Sequence, residues 1–180
     1  MNLMPMPDTP KAPMNTARLM LRPLLPQEED PFVQGSASKE LRRRYGFPID
    51  LPQTTARRIF RRFMTLSDAY GLVRNSDAVL VGFLLDVAPE LPESMLRTLP
   101  PGGRTLAYAV FEPYQRQGYM KEALKAMIDR HRQAGTPYLH CGHFPGNEPS
   151  RQLLRSLGFT PHGCHALGGE TILDEILPLS

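Results

Sequence analysis

The sequence has few cysteines, little net charge and no long apolar run, and each shortage excludes a class of protein. Its two cysteines, Cys141 and Cys164, cannot form a disulfide framework, and a chain of 180 residues needs none, which predicts a reducing, cytoplasmic setting. A net charge of +3 is too small to argue for a nucleic acid or a membrane as partner. The longest apolar run, Ala78 to Leu85, is far shorter than the roughly 20 residues that span a bilayer.

Proline, by contrast, is abundant, with 19 residues. Prolines interrupt residues 1–15, where a secretion signal would need a continuous apolar stretch, so we interpret this segment as a loose leader. The remaining residues, 16–180, suffice for one domain with a single core. Prolines and glycines also fill residues 88–103, which we interpret as an insertion in that domain.

Apolar periodicity divides the domain into strands and helices of mixed order. Residues 16–24 alternate like an edge strand, and residues 27–66 favour helices, the last of which Thr54 or Thr55 can cap. The elements expected after them are strands at Tyr70–Arg74, Val79–Val87, Thr105–Phe111 and Tyr138–His143, helices at Met120–Gln133 and after Asn147, and a hairpin within Phe159–Leu179. This order predicts an α/β fold with a mixed sheet and no doubly wound repeat.

One motif joins the strand Thr105–Phe111 to the clearest helix. The segment FEPYQRQGYMKEAL places Gly118 and Arg116 just before the helix begins. Backbone N–H groups at a helix N-terminus lack partners and the helix dipole is positive there, so this turn can bind a phosphate or pyrophosphate. Many strands also enter helices through a glycine without binding anything, and this simpler interpretation stays open.

A second motif follows the strand Tyr138–His143. The segment NEPSRQLLRSLGF begins with Asn147, which can cap a helix, and ends with Gly158, which can terminate it. Capping accounts for the two ends of the segment but not for the whole arrangement. Because this second helix N-terminus also follows a strand, it can face the same cleft as the first.

These two motifs, in this order, resemble the GNAT superfamily of acyl-CoA N-acyltransferases, in particular the branch of ribosomal-protein N-terminal acetyltransferases. The opening TARLMLRPL resembles that branch's first strand, and the likeness runs from about residue 16 to residue 179. It implies a GNAT fold of the α+β type. In that fold a mostly antiparallel sheet of about six to seven strands, flanked by helices, splays open between its fourth and fifth strands, here residues 105–111 and 138–143.

The resemblance also implies a cofactor and the residues that hold it. Acetyl-CoA would bind as co-substrate, with its pyrophosphate on the turn before the helix and its pantetheine arm along the strand that ends at Phe111. The backbone N–H near Val110 or Phe111 would polarise the thioester carbonyl. The residues expected near the cofactor are Ala109, Val110, Phe111, Gln115, Arg116, Gln117, Gly118, Tyr119, Met120, Asn147 and Ser150.

Four positions depart from the family pattern. Arg116 and Met120 stand where glycine or alanine is usual, which would loosen the turn. Leu154 stands where many relatives carry a tyrosine that protonates the leaving thiolate, so Ser150 or a water would have to do so, with Asn147 beside it. Thr105 stands where relatives often carry a glutamate base.

A strong base is not obligatory, because an α-amino group with a pKa near 7.7–8.0 is already partly neutral at pH 7, unlike a lysine amine near about 10.4. If there is one, the candidates are Asp86, Glu112, His140 and His143, and each can equally be a structural or solvated residue.

Seven arginines cluster in the predicted helices: Arg42, Arg43, Arg44, Arg57, Arg58, Arg61 and Arg62. They form either a solvated helix face or a border of the acceptor cleft that favours an acidic or peptide acceptor. No metal is expected. The spacing of His140, Cys141, His143, Cys164 and His165 matches no common zinc pattern, and strand packing explains these residues.

The predicted function is therefore direct transfer of an acetyl group from acetyl-CoA to a primary amine, on a protein N-terminus or a small molecule. The alternative is a GNAT-fold module that binds CoA or a peptide without catalysis, and a longer acyl chain is a third possibility. The acceptor cleft would be built from residues 27–66, 88–103 and 160–172. Homodimers are common among relatives, so a homodimer is possible for this chain by analogy alone.

Overall fold

The computed structural model describes residues 12–39, 41 and 52–180. Within these residues the strands are β1 (Met14–Asn15), β2 (Leu19–Arg22), β3 (Ala69–Arg74), β4 (Leu80–Val87), β5 (Arg104–Val110), β6 (Tyr138–His143), β7 (Thr160–Leu167) and β8 (Glu170–Pro178). The α-helices are α1 (Glu29–Gly35), α2 (Gln53–Met64), α3 (Glu93–Leu96), α4 (Tyr119–Gln133) and α5 (Glu148–Ser156), and short 3-10 turns lie at Pro26–Glu28 and Glu112–Tyr114.

The described strands form one sheet in the order β1-β2-β3-β4-β5-β6-β8-β7. Every neighbouring pair is antiparallel except β5 and β6, which run parallel and share only two register pairs, Arg104 with Leu139 and Thr105 with His140. Beyond Thr105 the two strands part and the sheet opens into a V. The predicted fold, splayed between residues 105–111 and 138–143, is confirmed.

Strand β5 separates two apolar cores because alternate side chains of a strand point to opposite faces. Leu106, Tyr108 and Val110 join the core beneath α4 and α5. Ala109 faces the other side, where an aromatic core of Phe32, Phe60, Phe63, Phe83 and Phe111 packs α1 and α2 on the sheet.

Helix α4 forms where the sequence predicts it, one residue earlier, at Tyr119. It ends at Gln133, before Gly135 with φ +73°. Its predicted apolar face is buried, and Ala123, Leu124 and Met127 at the centre of that face are fully buried. Helix α2 begins at Gln53, after Pro52, so neither Thr54 nor Thr55 caps it.

Three features refine the predicted organisation. Met14 and Asn15, assigned to the leader, pair with Leu21 and Met20 as a two-residue strand at one edge of the sheet, so the strand count rises to eight in the described residues. The insertion 88–103 carries α3 and packs Leu91 and its neighbours on Tyr138 and Ile176. The C-terminal hairpin turns at Gly168 and Gly169, and its outer strand β7 has a register shift between Pro161 and Gly163. Arg42, Arg43 and Arg44 lie outside the described residues, together with the rest of residues 42–51 in the middle of the predicted helical region.

Candidate active site

The turn before α4 presents unpaired backbone donors. Gly118 precedes the helix with φ +80°, and Arg116 has φ +60°, a left-handed conformation that is rare for a residue with a side chain. The first intrahelical bond runs from Glu122 N to Gly118 O, at 3.1 Å. The N–H groups of Tyr119, Met120 and Lys121 therefore lack an intrahelical acceptor, and they lie at the positive end of the helix dipole. This turn can bind an anion.

The first strand region holds this turn in place. Thr16 Oγ1 donates to Glu122 Oε1 at 2.5 Å, and Arg18 Nε donates to Glu122 Oε2 at 2.8 Å. Burial alone would raise the pKa of Glu122, but these hydrogen bonds outweigh it and hold the pKa below its ordinary value. Arg18 Nη1 donates to Gln117 O at 2.9 Å, and its guanidinium lies over the Tyr119 ring. The sequence does not indicate these hydrogen bonds, because their partners lie about a hundred residues apart.

A cavity of about 630 Å³ runs from this turn to the N-terminus of α5. It combines residues of both predicted motifs with two from β5; among them are Tyr108, Val110, Gln115, Arg116, Gly118, Tyr119, Met120, Asn147 and Ser150. Gln115 also donates its amide to Val110 O at 2.9 Å, which ties the turn to the end of β5. The cavity therefore connects the proposed pyrophosphate turn with the open side of the V.

Three expected cofactor residues do not line this cavity. The side chains of Ala109 and Phe111 pack in the aromatic core on the opposite face, and Gln117 is bonded to Arg18 through its carbonyl. Phe111 N donates to Val81 O at 2.9 Å, so it is committed to β4. The Leu106 N–H points the other way and donates to the thiol of Cys141. Since N–H directions alternate along a strand, the Val110 N–H faces the open V, and Val110 rather than Phe111 is suited to polarise a carbonyl there.

Helix α5 brings a hydroxyl pair to the same place. Asn147 caps the helix as predicted, with Oδ1 accepting from Ser150 N at 3.4 Å. Ser150 Oγ lies 2.8 Å from the hydroxyl of Tyr108, and both residues are buried. Tyr108 is a functional candidate that sequence reasoning missed. Leu154, at the position where a tyrosine was sought, is fully buried in the core.

A second, smaller cavity of about 210 Å³ opens on the other side of the V. Thr105, Ala107, His140, His165 and Ile172 are among the residues that line it. The two cavities have three lining residues in common, and these are Tyr108, Asn147 and Ser150. Groups that enter from opposite sides can therefore meet at the hydroxyl pair, as direct transfer between two substrates requires.

The structure does not bring Asp86 to this meeting point. It is fully buried, with Oδ1 2.8 Å from Arg104 Nε and Oδ2 3.1 Å from His131 Nε2. Burial alone would raise the pKa of Asp86, but the hydrogen bonds from His131 and Arg104 outweigh it and the pKa falls below its ordinary value. Asp86 lines neither cavity. Its arrangement is that of an ion-paired residue that joins β4, β5 and α4.

Of the other base candidates, two reach the second cavity and one does not. Glu112 is exposed, accepts a hydrogen bond from Ser38 and lines a separate cavity of about 670 Å³. His143 lines the second cavity, but its ring nitrogens face Phe144 O at 3.2 Å and Glu175 Oε1 at 3.4 Å. Because both partners are acceptors, neither nitrogen is offered to a substrate. His140 also lines this cavity and is hydrogen-bonded at both nitrogens.

The remaining side chains bear on other kinds of site. In the described ranges, no three His, Cys, Asp or Glu side chains come together in a way that could hold a metal ion. Burial raises the pKa of the Cys141 thiol, whereas Cys164 is exposed on β7. No helix among the described residues has the length and apolarity to cross a bilayer.

Comparison with known proteins supports the same interpretation. The family described as "Acetyltransferase (GNAT) domain" matches residues 18–160. A search of curated protein sequences finds no match.

Solved structures show the same fold at low sequence identity. A GNAT-family acetyltransferase from Bacillus anthracis is 13% identical with a TM-score of 0.78, covering 93% of this chain and 99% of that one. A protein proposed to be a ribosomal-protein-serine acetyltransferase, from Vibrio cholerae, is 24% identical with a TM-score of 0.70, covering 94% and 99%. RimL, a ribosomal L7/L12 alpha-N-protein acetyltransferase, is 18% identical with a TM-score of 0.72, covering 98% and 99%. With its matching domain, fold and paired motifs, this chain belongs to the GNAT acetyltransferase family.

Proposed function

We propose that the protein transfers an acetyl group from acetyl-CoA directly to a primary amine, of a protein N-terminus or of a small molecule. One observation carries the proposal: two cavities on opposite sides of the open sheet meet at Tyr108, Asn147 and Ser150. One cavity ends at a helix N-terminus that suits a pyrophosphate. The other is open to an acceptor.

The residues of the 630 Å³ cavity fit the co-substrate. The N–H groups of Tyr119, Met120 and Lys121 would bind the pyrophosphate, and Arg116 would add a positive charge beside it. The N–H of Val110 would bind the thioester oxygen in the open V. Acetyl-CoA, when bound, supplies the acetyl group as an activated thioester. No residue of the chain needs to carry the group covalently.

Ser150 and Tyr108 are placed to return a proton to the leaving sulfur. Their hydroxyls are 2.8 Å apart and buried, so either can donate while the other replaces the proton. This pair takes over the role that Leu154 cannot perform. It favours catalysis over the alternative of a binding module that has lost its proton donor.

The acceptor class is proposed from the neighbours. Several similar structures are described as acetyltransferases of ribosomal proteins, one of them as an alpha-N-protein acetyltransferase. An α-amino group also suits a site without a carboxylate base, because it is partly neutral at pH 7. Of the arginines that could select an acidic acceptor, Arg57 and Arg61 are paired with Glu29, which leaves Arg58 and Arg62 as candidates on α2.

The first test is calorimetric binding of acetyl-CoA and of free CoA. We expect Gly118→Glu to weaken binding at least about 30-fold, because the added side chain brings a negative charge to the pyrophosphate turn. Gly135→Glu is the matched control, since Gly135 has φ +73° at the other end of α4 and nothing lies within 4 Å of its Cβ position. Both variants carry the same left-handed strain, about 1–2 kcal/mol, but only the first faces the cavity.

The second measurement is thiol release from acetyl-CoA. The acceptors are peptides that begin with serine or alanine, an N-terminally blocked lysine peptide and spermidine. Turnover with one of them supports an enzyme, whereas binding without turnover supports a binding module. Absence of acetyl-CoA binding by the wild-type protein contradicts the proposal.

A further inference from the structure

A chain of four hydrogen-bonded side chains crosses four strands beside the second cavity. Thr105 Oγ1 on β5 lies 2.8 Å from His140 Nδ1 on β6, and His140 Nε2 lies 2.8 Å from Asp174 Oδ1 on β8. The other oxygen of Asp174 lies 2.9 Å from Nδ1 of His165 on β7. One carboxylate, 1% exposed, thus sits between two imidazoles.

The chemistry of the carboxylate fixes which nitrogens carry protons. An ionised carboxylate can only accept hydrogen bonds, so His140 Nε2 and His165 Nδ1 both carry a hydrogen. Nδ1 of neutral His140 then accepts from the Thr105 hydroxyl, and both of its nitrogens are committed. His165 differs, since no described residue forms a hydrogen bond with its Nε2. That nitrogen has a lone pair to offer.

His165 is placed where an acceptor would bind. It lines the second cavity together with Tyr108 and Ser150, and its side chain remains 10% exposed. We infer that His165 is the base that takes a proton from the ammonium form of the acceptor amine, and that Asp174 positions it. This rests on the proposed function. It replaces the base candidates suggested by the sequence with a histidine that the sequence analysis grouped only with possible metal ligands.

His165 Nε2 takes one N–H proton from the ammonium, and the freed lone pair forms the C–N bond at the acetyl carbon. As the C–S bond breaks, a second N–H proton passes through Ser150 or Tyr108 to the sulfur. His165 then releases its proton to solvent, so an ammonium and a thioester yield an amide, a thiol and one proton.

The charged neighbours of His165 favour this role. Asp174 on β8 stabilises the imidazolium, and Glu90 from the insertion lines the same cavity. His140 and His143 face the cavity from β6, and His162 lies nearby on β7. Burial lowers the pKa of His140 despite its bond to Asp174, so this ring stays neutral and does not oppose a charge on His165.

The test compares His165→Gln with His162→Gln, a matched control that removes an exposed histidine of the same strand. Steady-state rates are measured from pH 6 to pH 9 with the best α-amino peptide of the thiol-release screen. We expect H165Q to lower kcat/KM for the peptide about tenfold at pH 7 with unchanged acetyl-CoA affinity, and H162Q to change it less than twofold. Because the neutral amine needs no base, the H165Q rate should rise about tenfold per pH unit below the amine pKa of about 7.7–8.0, level off above it and approach the wild-type rate near pH 9.

A second readout does not depend on turnover. In the free protein labelled with ¹⁵N-histidine, long-range ¹H–¹⁵N spectra should show that the neutral form of His165 carries its hydrogen on Nδ1 and not on Nε2. Asp174→Asn should remove this tautomer preference, with a thermal melt to check folding. Wild-type turnover with an unaffected H165Q, or the opposite tautomer at His165, overturns the inference alone. Absence of turnover with every acceptor overturns the proposed function, and the inference with it.

Discussion

At the scale of single residues, the hydroxyl of Tyr108 is a candidate proton donor that the sequence motifs do not indicate. It comes from the middle of β5 and meets Ser150 at 2.8 Å, whereas the family position on α5 holds the buried Leu154. A proton donor can thus be supplied from the strand instead of the helix. The geometry at the reacting atoms matters more for this role than the element that carries the group.

We therefore expect Tyr108→Phe and Ser150→Ala each to lower kcat about 100-fold with little change in acetyl-CoA affinity. Because the two hydroxyls act as one unit, the double variant should lose only a few-fold more. Tyr70→Phe is the control, since Tyr70 is a buried strand tyrosine whose hydroxyl bonds Arg130 away from both cavities. A Y108F enzyme with half of the wild-type kcat would exclude this role for the pair.

Some of these residues could be predicted from the sequence and others could not. Asn147 is recognisable because a cap and its helix are adjacent in the chain. Asp86 and Glu112 were candidates only by residue type. The partners that decide their roles, Arg104, His131 and Ser38, lie 18 to 74 residues away. His165 likewise gains a role only through Asp174 on the next strand.

At the scale of elements, Asp86 joins three of them. Its carboxylate on β4 holds Arg104 on β5 and His131 on α4, and Arg104 Nη2 also lies 3.2 Å from Asp68. This cluster fixes α4 against the sheet at the end opposite the turn that contains Gly118. The position of that turn therefore depends on the Asp86 cluster at one end of the helix and on the hydrogen bonds of Arg18 at the other.

The Asp86 cluster should make the free energy of unfolding decrease at acid pH. The pKa of Asp86 is lowered in the folded protein, so its contribution is complete above the unfolded value of about 3.9 and is lost as the pH falls further. We expect the free energy of unfolding in urea to drop as the pH is lowered from about 4 to about 2. Asp86→Asn should cost about 3 kcal/mol at pH 7 and flatten this dependence. Asp77→Asn, which alters an exposed pair with Arg74 that also lowers the pKa of Asp77, should flatten the pH dependence much less, because solvent screens that pair.

Elements with a strong local pattern were predictable, and elements defined by distant contacts were not. The apolar face of α4 repeats over 15 residues and gave its bounds within one residue. Strand β1 has only two residues, and these form a strand only because they pair with Leu21 and Met20. The splay between β5 and β6 was expected from the family resemblance, not from any property of the strands themselves, and its extent, with only two register pairs, comes from the structure.

At the scale of the whole molecule, the sheet consists of two parts with a narrow junction. β5 and β6 share only two register pairs, and acetyl-CoA would contact both parts across the V. Ligand that binds only the folded protein stabilises it by about 2.7 kcal/mol at 100 times Kd. For a chain of this length we expect free CoA at that concentration to raise Tm by about 5–10 °C. Gly118→Glu should keep about a third of this shift or less, and Gly135→Glu should show the full shift.

The division of the molecule also explains why the sequence indicates more of the lining of the 630 Å³ cavity than of the 210 Å³ cavity. The 630 Å³ cavity is built mainly from two continuous motifs, each with its own strand and helix. The smaller cavity combines β5, β6, the insertion and the C-terminal hairpin, so its character emerges only from pairing of distant segments. Arg42, Arg43 and Arg44, which entered the acceptor prediction, lie outside the described residues.

The outer strand β7 has a consequence for the behaviour of the protein in concentrated solution. No described strand pairs with its outer side, and an open strand edge is a template on which further molecules can add. Pro161 has no N–H to donate, and the register shift between Pro161 and Gly163 breaks the straight row of donors and acceptors. Copies of the protein therefore meet an irregular edge, which opposes strand-by-strand aggregation while leaving His165 at the cavity on the inner side of the same strand.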